Sequence, residues 1–95
     1  MLSAVTVIGG KASEDLAKKL AKKLKASYVS SELRVFPDGE SKITISAKPK
    51  KGKIIVVNST YPPVDANLMQ TLSLISKARQ FSAQVICVIP YMGYA

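Results

Sequence analysis

The sequence contains no histidine and only a single cysteine. Without histidine the chain lacks the commonest general base and metal ligand, which weighs against a complete active site. Cys87 lies within an apolar run and has no second cysteine to pair with, so we interpret it as a small buried hydrophobic residue. These two absences predict a protein of the reducing cytoplasm that does not carry a full set of catalytic residues.

Long apolar segments are also absent. No apolar run approaches the ~20 residues that a membrane-spanning helix needs, and the N-terminus lacks the basic segment, apolar stretch and cleavage site of a signal peptide. We therefore expect a soluble protein without a membrane partner. The 95 residues, 47% of them hydrophobic, suffice for one compact domain at most.

Acidic residues are few relative to basic ones. The sequence has 6 Asp and Glu residues against 14 Lys and Arg residues, which gives a formal net charge of +8. Such a charge could attract nucleic acid, anionic lipid or a phosphorylated small molecule, and charge alone does not choose among them.

Hydrophobic patterning predicts an α/β domain with three layers. Continuous apolar runs at 4–8, 54–57 and 85–89 are typical of parallel strands that are covered on both faces. Helical periodicity predicts one helix that begins at Ser13 as N-cap and a second from about 65 to 81. The order strand, helix, hairpin, strand, helix, strand predicts a mostly parallel sheet with right-handed crossovers and a β-hairpin.

Both predicted helices have one apolar side. In the first helix the apolar residues are Leu16, Ala17, Leu20, Ala21 and Leu24, and five lysines lie on the opposite arc, at positions 18, 19, 22, 23 and 25. We interpret the lysines as a solvated surface, because no aromatic or arginine residue is interleaved with them as nucleic-acid binding would favour. The arc of the second helix is wide enough to predict cover by a subunit interface or another domain. It comprises Leu68, Leu72, Leu74, Ile75, Ala78 and Phe81.

The hairpin turn is the most informative stretch. The order Pro37-Asp38-Gly39 suits a rigid type I turn, which would present Phe36, Asp38 and Glu40 together. An aromatic ring can stack on a purine, and carboxylates accept hydrogen bonds from exocyclic amino groups. The same pattern also fits a purely structural role in which Phe36 fills the core. A magnesium site at the two carboxylates would lack the usual third ligand.

Two strand ends carry further polar or flexible groups. The Gly9-Gly10-Lys11 stretch lacks the spacing of a phosphate-binding loop, so we interpret it as a tight strand-to-helix turn. The Asn58-Ser59-Thr60 stretch could bind an oxyanion or serve as an ordinary lead-in to the second helix. Because ligands of such sheets bind beyond the carboxyl ends of the strands, the chain stops where a crevice should form, and we expect it to be truncated.

Four motifs in register carry a family resemblance. They resemble those of ribose-phosphate pyrophosphokinases over essentially the whole chain, in a style similar to the archaeal branch. The motifs are Val7-Ile8-Gly9-Gly10, then Phe36-Pro37-Asp38-Gly39-Glu40, then Ser59-Thr60-Tyr61-Pro62-Pro63-Val64 with Asn67-Leu68-Met69, and finally Ile89-Pro90-Tyr91-Met92-Gly93-Tyr94-Ala95.

The resemblance implies an N-terminal phosphoribosyltransferase-like domain over 1–95, in a homo-oligomeric enzyme that transfers diphosphate from ATP to ribose 5-phosphate. It implies that Phe36 stacks on adenine in a neighbouring subunit while Asp38 and Glu40 contact the polar edge of the base. No catalytic or metal-binding residue falls within this chain, so the ligands of the family's Mg²⁺ would lie beyond it, and we expect the chain alone to be inactive. Val35, where many relatives carry a basic residue, is a mild departure.

Two other functions stay open at this point. One is a non-catalytic relative that regulates a true pyrophosphokinase by joining its oligomer. The other is a basic nucleic-acid-binding domain, which would bind single-stranded RNA in a salt-sensitive way.

Overall fold

The computed structural model describes residues 4–94 as a five-stranded sheet with a helix on each face. All three strands predicted from apolar runs are present, and so are both helices and the hairpin. In chain order the elements are β1 (Val5–Gly9), a 3₁₀ turn (Lys11–Ser13), α1 (Glu14–Leu24), β2 (Ser27–Val35), β3 (Ser41–Ile45), β4 (Lys53–Val57), α2 (Val64–Arg79) and β5 (Val85–Val88).

The strand order is β3-β2-β1-β4-β5, and only β3 runs antiparallel, against β2. From β1 the chain first moves to β2 on one side and later returns to β4 on the other side. The carboxyl ends of β1 and β4 therefore flank the point where the strand order reverses, which is where sheets of this class bind ligands.

Two apolar cores hold the three layers together. The core on the α1 face is built on Val7, Ala17, Ala21 and Val57, and the core on the α2 face on Ile8, Val29, Ile54, Val56, Leu74 and Ala78. Each fully buried Val, Ile or Leu side chain contributes about 1.5–3 kcal/mol relative to exposure. The predicted three-layer α/β architecture is confirmed.

Helix α1 begins where it was predicted, and Ser13 occupies the predicted N-cap position. Ser13 makes no capping hydrogen bond, because its Oγ instead accepts the Ser59 backbone N–H at 3.0 Å. The predicted apolar arc is also narrower than expected, since Leu16 and Leu24 are each 44% exposed. The five lysines on the opposite arc are exposed, as the solvated-surface interpretation requires.

Helix α2 presents a different side to the sheet than its apolar pattern predicted. Its amino-terminal half buries Asn67, Gln70 and Thr71, whereas Leu72 is 51% exposed. The reason is the buried Asn58 opposite the helix, whose amide donates to Thr71 Oγ1 and so requires polar neighbours. Only the carboxyl-terminal half follows the usual rule and buries Leu74 and Ala78.

Strand β2 pairs with two different partners along its length. Residues 27–30 form a parallel ladder with β1, and residues 31–35 form an antiparallel ladder with β3. Residues 31–45, hereafter the arm, thus extend past the carboxyl end of β1 by five strand residues, or about 17 Å. Residues 4–30 and 46–94 are hereafter the body.

Cys87 was predicted to be a buried residue. Cys87 is half-buried rather than fully buried, and it packs beside the α2-face core. Burial raises the pKa of its thiol.

Within residues 4–94, neither helix has the length and apolar character needed to cross a membrane.

Candidate functional site

The hairpin turn is held rigidly by backbone hydrogen bonds. The Gly39 N–H donates to the Phe36 carbonyl at 2.9 Å, and the Phe36 N–H donates to the Glu40 carbonyl at 2.7 Å. Pro37 and Asp38 occupy the central positions, where the fixed φ of proline favours a tight turn. Gly39 has a φ of +92°, a conformation that glycine adopts without strain.

All three predicted site residues lie on this one turn. Phe36 is half-buried and belongs to neither core, and the Arg34 guanidinium lies over its ring at 5.3 Å from the centroid. Asp38 and Glu40 are both exposed, and one oxygen of Asp38 accepts the Glu40 N–H at 3.0 Å. Both carboxylates are therefore accessible to a ligand. Arg34 is a further candidate site residue, because strand alternation places it on the same face as Phe36.

The end of β4 is a buried structural junction. Asn58 is fully buried; its Oδ1 accepts the Ala12 N–H at 3.1 Å, and its Nδ2 donates to Thr71 Oγ1 at 2.9 Å. The side chain thereby ties β4 to the loop after β1 and to α2. A Cβ at Gly10 would overlap the Asn58 side chain, so the predicted tight turn requires glycine for close approach.

The next two residues extend this junction toward the last described segment. Thr60 donates its backbone N–H and its hydroxyl to the Tyr91 carbonyl, at 2.8 and 3.0 Å, and its Oγ1 accepts the Gly93 N–H. The Tyr94 hydroxyl donates to Asp65, which raises the pKa of Tyr94. The side chains of Asn58, Ser59 and Thr60 mostly form hydrogen bonds within the chain. The structure therefore does not support an oxyanion site built on them.

A crevice of about 680 Å³ opens at the carboxyl ends of β1 and β4. Its walls come from the 3₁₀ turn and the start of α1, the segment after β4, the first turn of α2 and the segment after β5, as the strand reversal predicts. The lining residues are Lys11, Ala12, Ser13, Glu14, Asp15, Leu16, Ser59, Tyr61, Pro62, Asn67 and Pro90. Sequence reasoning expected a crevice here but missed Asn67, whose role depends on contacts across the fold.

Metal-binding geometry is not met by this part of the protein. Among residues 4–94 no three His, Cys, Asp or Glu side chains lie close enough together to hold an ion. Asp38 and Glu40 supply two hard ligands, fewer than Mg²⁺ or Ca²⁺ sites usually use.

Comparison with known proteins accounts for the fold and for the motifs together. Residues 5–95 match the family described as the N-terminal domain of ribose phosphate pyrophosphokinase. The chain belongs to the ribose-phosphate pyrophosphokinase family.

Curated members of the pyrophosphokinase family align along nearly the whole chain. A ribose-phosphate pyrophosphokinase of Methanobrevibacter smithii is 40% identical over 90 residues, which are 94% of this chain and 30% of that protein. Another from Sulfolobus acidocaldarius is 37% identical over 90 residues, covering 94% of this chain and 31% of the relative. The chain thus spans about a third of the length of the pyrophosphokinases it matches.

Solved structures agree on the fold. A phosphoribosylpyrophosphate synthetase from Mycobacterium smegmatis superposes with a TM-score of 0.78 at 22% identity, over 96% of this chain and 31% of that one. A purine phosphoribosyltransferase from Pyrococcus horikoshii superposes with a TM-score of 0.57 at 10% identity, over 98% and 66% of the two chains. The predicted phosphoribosyltransferase-like fold is confirmed.

Proposed function

We propose that residues 1–95 form the N-terminal domain of a ribose-phosphate diphosphokinase, which transfers the diphosphoryl group of ATP to the anomeric hydroxyl of ribose 5-phosphate. The family match over residues 5–95 supports the reaction. Within that enzyme the turn of the arm recognises the adenine of ATP. The observation that carries this assignment is a rigid turn outside both cores that presents one aromatic ring and two exposed carboxylates.

The chemistry of adenine fits this turn. Arg34 lies over one face of the Phe36 ring, so the base stacks on the opposite face. The exocyclic amino group of adenine donates to carboxylate oxygens of Asp38 or Glu40, which are exposed at the same turn. Stacking supplies most of the affinity, and the carboxylates orient the base.

The position of the arm favours a homo-oligomer. Its turn lies about 17 Å beyond the end of β1, a distance that follows from five further strand residues. The turn is therefore well separated along the strand direction from the strand-end crevice of its own subunit, and it contacts ATP bound by a neighbouring subunit.

Magnesium and the remaining catalytic groups belong to parts of the enzyme outside this chain. The two carboxylates of the turn are fewer hard ligands than a Mg²⁺ site usually uses. When bound, Mg²⁺ neutralises charge on the phosphates of ATP. By the same resemblance the enzyme acts in the cytoplasm.

A kinetic comparison in the complete enzyme tests the role of the turn. Phe36→Ala should raise the KM for ATP about tenfold or more, because loss of one base–aromatic stack costs about 1–3 kcal/mol. The KM for ribose 5-phosphate should change less than about twofold, since this interaction involves only the base. Both constants are measured from phosphoribosyl pyrophosphate formation.

Two matched variants make the test specific. Phe36→Tyr keeps the ring and should retain the ATP affinity, whereas Val35→Ala, at an adjacent residue that is 62% exposed, should leave both KM values unchanged. An unaltered KM for ATP in a folded Phe36→Ala enzyme would contradict the assignment of the turn.

A further inference from the structure

The crevice at the carboxyl ends of β1 and β4 has the size and lining of a small-molecule site. Its volume of about 680 Å³ falls within the roughly 300–1,000 Å³ that ligand pockets occupy. None of its lining residues belongs to the arm, so the adenine-binding role proposed for the turn does not account for it.

Two nearly buried polar side chains in the crevice have unused hydrogen-bonding capacity. Asn67 is 8% exposed and donates through Nδ2 to the Tyr61 carbonyl at 2.6 Å, yet its Oδ1 accepts no hydrogen bond from residues 4–94. Ser13, also 8% exposed, accepts the Ser59 N–H, but its hydroxyl donates to no group within the described chain. Asn67 Oδ1 is not among the buried unpaired atoms of the described chain, so it is reachable from the crevice, where it and the Ser13 hydroxyl can bond to the polar groups of a ligand.

The charges of the lining disfavour a phosphate. Lys11 is the one basic lining residue, and Glu14 already pairs with it at 3.1 Å. Asp15 forms no ion pair in the part of the chain that is described, which leaves one uncompensated carboxylate at the crevice. A carboxylate accepts hydrogen bonds from hydroxyl groups. In other doubly wound α/β sheets an acidic residue accepts hydrogen bonds from the vicinal hydroxyls of a ribose.

The opposite part of the lining is apolar and partly aromatic. Tyr61 is 62% exposed, and its ring contacts that of Tyr91 edge to face, with centroids 5.7 Å apart. Leu16 is 44% exposed, and Pro62 and Pro90 complete this wall. Exposed flat and apolar surface of this kind suits a heterocyclic base.

We infer that this crevice binds a neutral ribonucleoside. Asp15 and Asn67 Oδ1 accept hydrogen bonds from the ribose hydroxyls, and the base lies against Tyr61 and Leu16. Carboxylates at the start of α1 also stabilise the helix dipole. That role explains neither the unpaired Asn67 Oδ1 nor the exposed apolar wall.

Adenosine is the probe for this site. Titrated into the ¹⁵N-labelled 95-residue chain at ~0.15 M salt, which limits long-range attraction by the net charge, it should shift the amide resonances of residues 12–16 and 59–61. Adenosine monophosphate should bind several-fold more weakly because its phosphate approaches Asp15. No shift, shifts confined to the arm, or tighter binding of the monophosphate would overturn the inference.

Three single substitutions locate the site. Asp15→Asn should weaken adenosine binding about tenfold, because a hydrogen bond to a charged group is lost while the shape is kept. Glu32→Gln, at an exposed carboxylate of the arm, should leave the affinity unchanged, and so should Val35→Ala, at an exposed arm residue that is not assigned to adenine recognition. Wild-type affinity in a folded Asp15→Asn chain, or a loss of affinity in either control, would count against the crevice.

Discussion

The body and the arm use the same kinds of residue for opposite purposes. In the body, polar side chains at the strand ends are buried and bonded to the chain, as Asn58 is to Ala12 and Thr71. In the arm, Asp38 and Glu40 are exposed, and the aromatic ring of Phe36 lies outside both cores. The difference teaches that the polar side chain at the end of β4 maintains the fold, whereas those at the turn of the arm are free to contact a ligand.

Among the substitutions that test this comparison, Gly10→Ala should have the largest effect on stability. The added methyl group would overlap Asn58 and displace the buried junction, so the free energy of unfolding should fall by about 3 kcal/mol or more. Urea denaturation followed by circular dichroism measures the change. A loss below about 1 kcal/mol would show that the junction yields easily, and the contrast between body and arm would then weaken.

Asn58→Ala should have the next largest effect. It removes the acceptor of the Ala12 N–H and one of the two hydrogen bonds of the Thr71 hydroxyl, which keeps its bond to the Asn67 carbonyl, at a cost of about 1–3 kcal/mol. Because this substitution also removes two of the three Asn58 atoms that an alanine at position 10 would overlap, the double variant should lose less stability than the sum of the single variants. Additive losses would argue against direct contact as the cause.

The equivalent glycine substitution in the arm should be milder and local. An alanine Cβ at Gly39 would meet no atom within 4 Å, so Gly39→Ala costs only the strain of a positive φ, about 1 kcal/mol. Hydrogen exchange should become faster for the arm and stay unchanged for the sheet of the body. Faster exchange throughout the body would mean that the arm is part of the cooperative core.

The smallest expected effect is a gain of stability in the body. The Tyr28 hydroxyl is buried without a hydrogen-bond partner among residues 4–94, so Tyr28→Phe should stabilise the fold by up to about 1 kcal/mol. Burial, reinforced by the negative charge of Glu14, raises the pKa of Tyr28 above the ordinary tyrosine value of about 10. The unfolded chain therefore loses this proton first as the pH rises above 10, and native stability falls.

Tyr28→Phe should remove that part of the alkaline loss of stability. Thermal unfolding of both proteins at pH 8 and above pH 10 measures it, with the difference between them widening at the higher pH. An equal loss in both would assign the alkaline effect to groups other than Tyr28.

Much of the fold was predictable because its signals are local. The apolar runs of β1, β4 and β5 and the Pro37-Asp38-Gly39 turn each depend on neighbouring residues, and the structure confirms all of them. The resemblance of four motifs predicted the family. The roles of Phe36, Asp38 and Glu40 on adenine stay a prediction.

The misses share a physical cause. Ser13 is the N-cap residue of α1 as predicted, but its hydroxyl does not cap the helix, because it is bonded to Ser59, 46 residues away in sequence. The buried side of α2 was assigned from hydrophobicity, yet the buried Asn58 side chain is bonded to the Thr71 hydroxyl and to the backbone carbonyl of Asn67, which turns this polar side of the helix toward the sheet. Hydrogen bonds between distant residues leave no periodic pattern, so neither feature could be derived from the sequence.

Because strand β2 continues from the body into the arm, the arm can tilt as a unit about the end of β1. At this joint the Ser31 hydroxyl donates to the Gly9 carbonyl at 2.6 Å, and the Ser46 N–H donates to the Ser30 carbonyl at 2.9 Å. With an arm of about 17 Å, a tilt of roughly 10° at these two bonds would move the tip by about 3 Å. Small changes in the geometry of these two hydrogen bonds would therefore move Phe36 by about the length of a hydrogen bond.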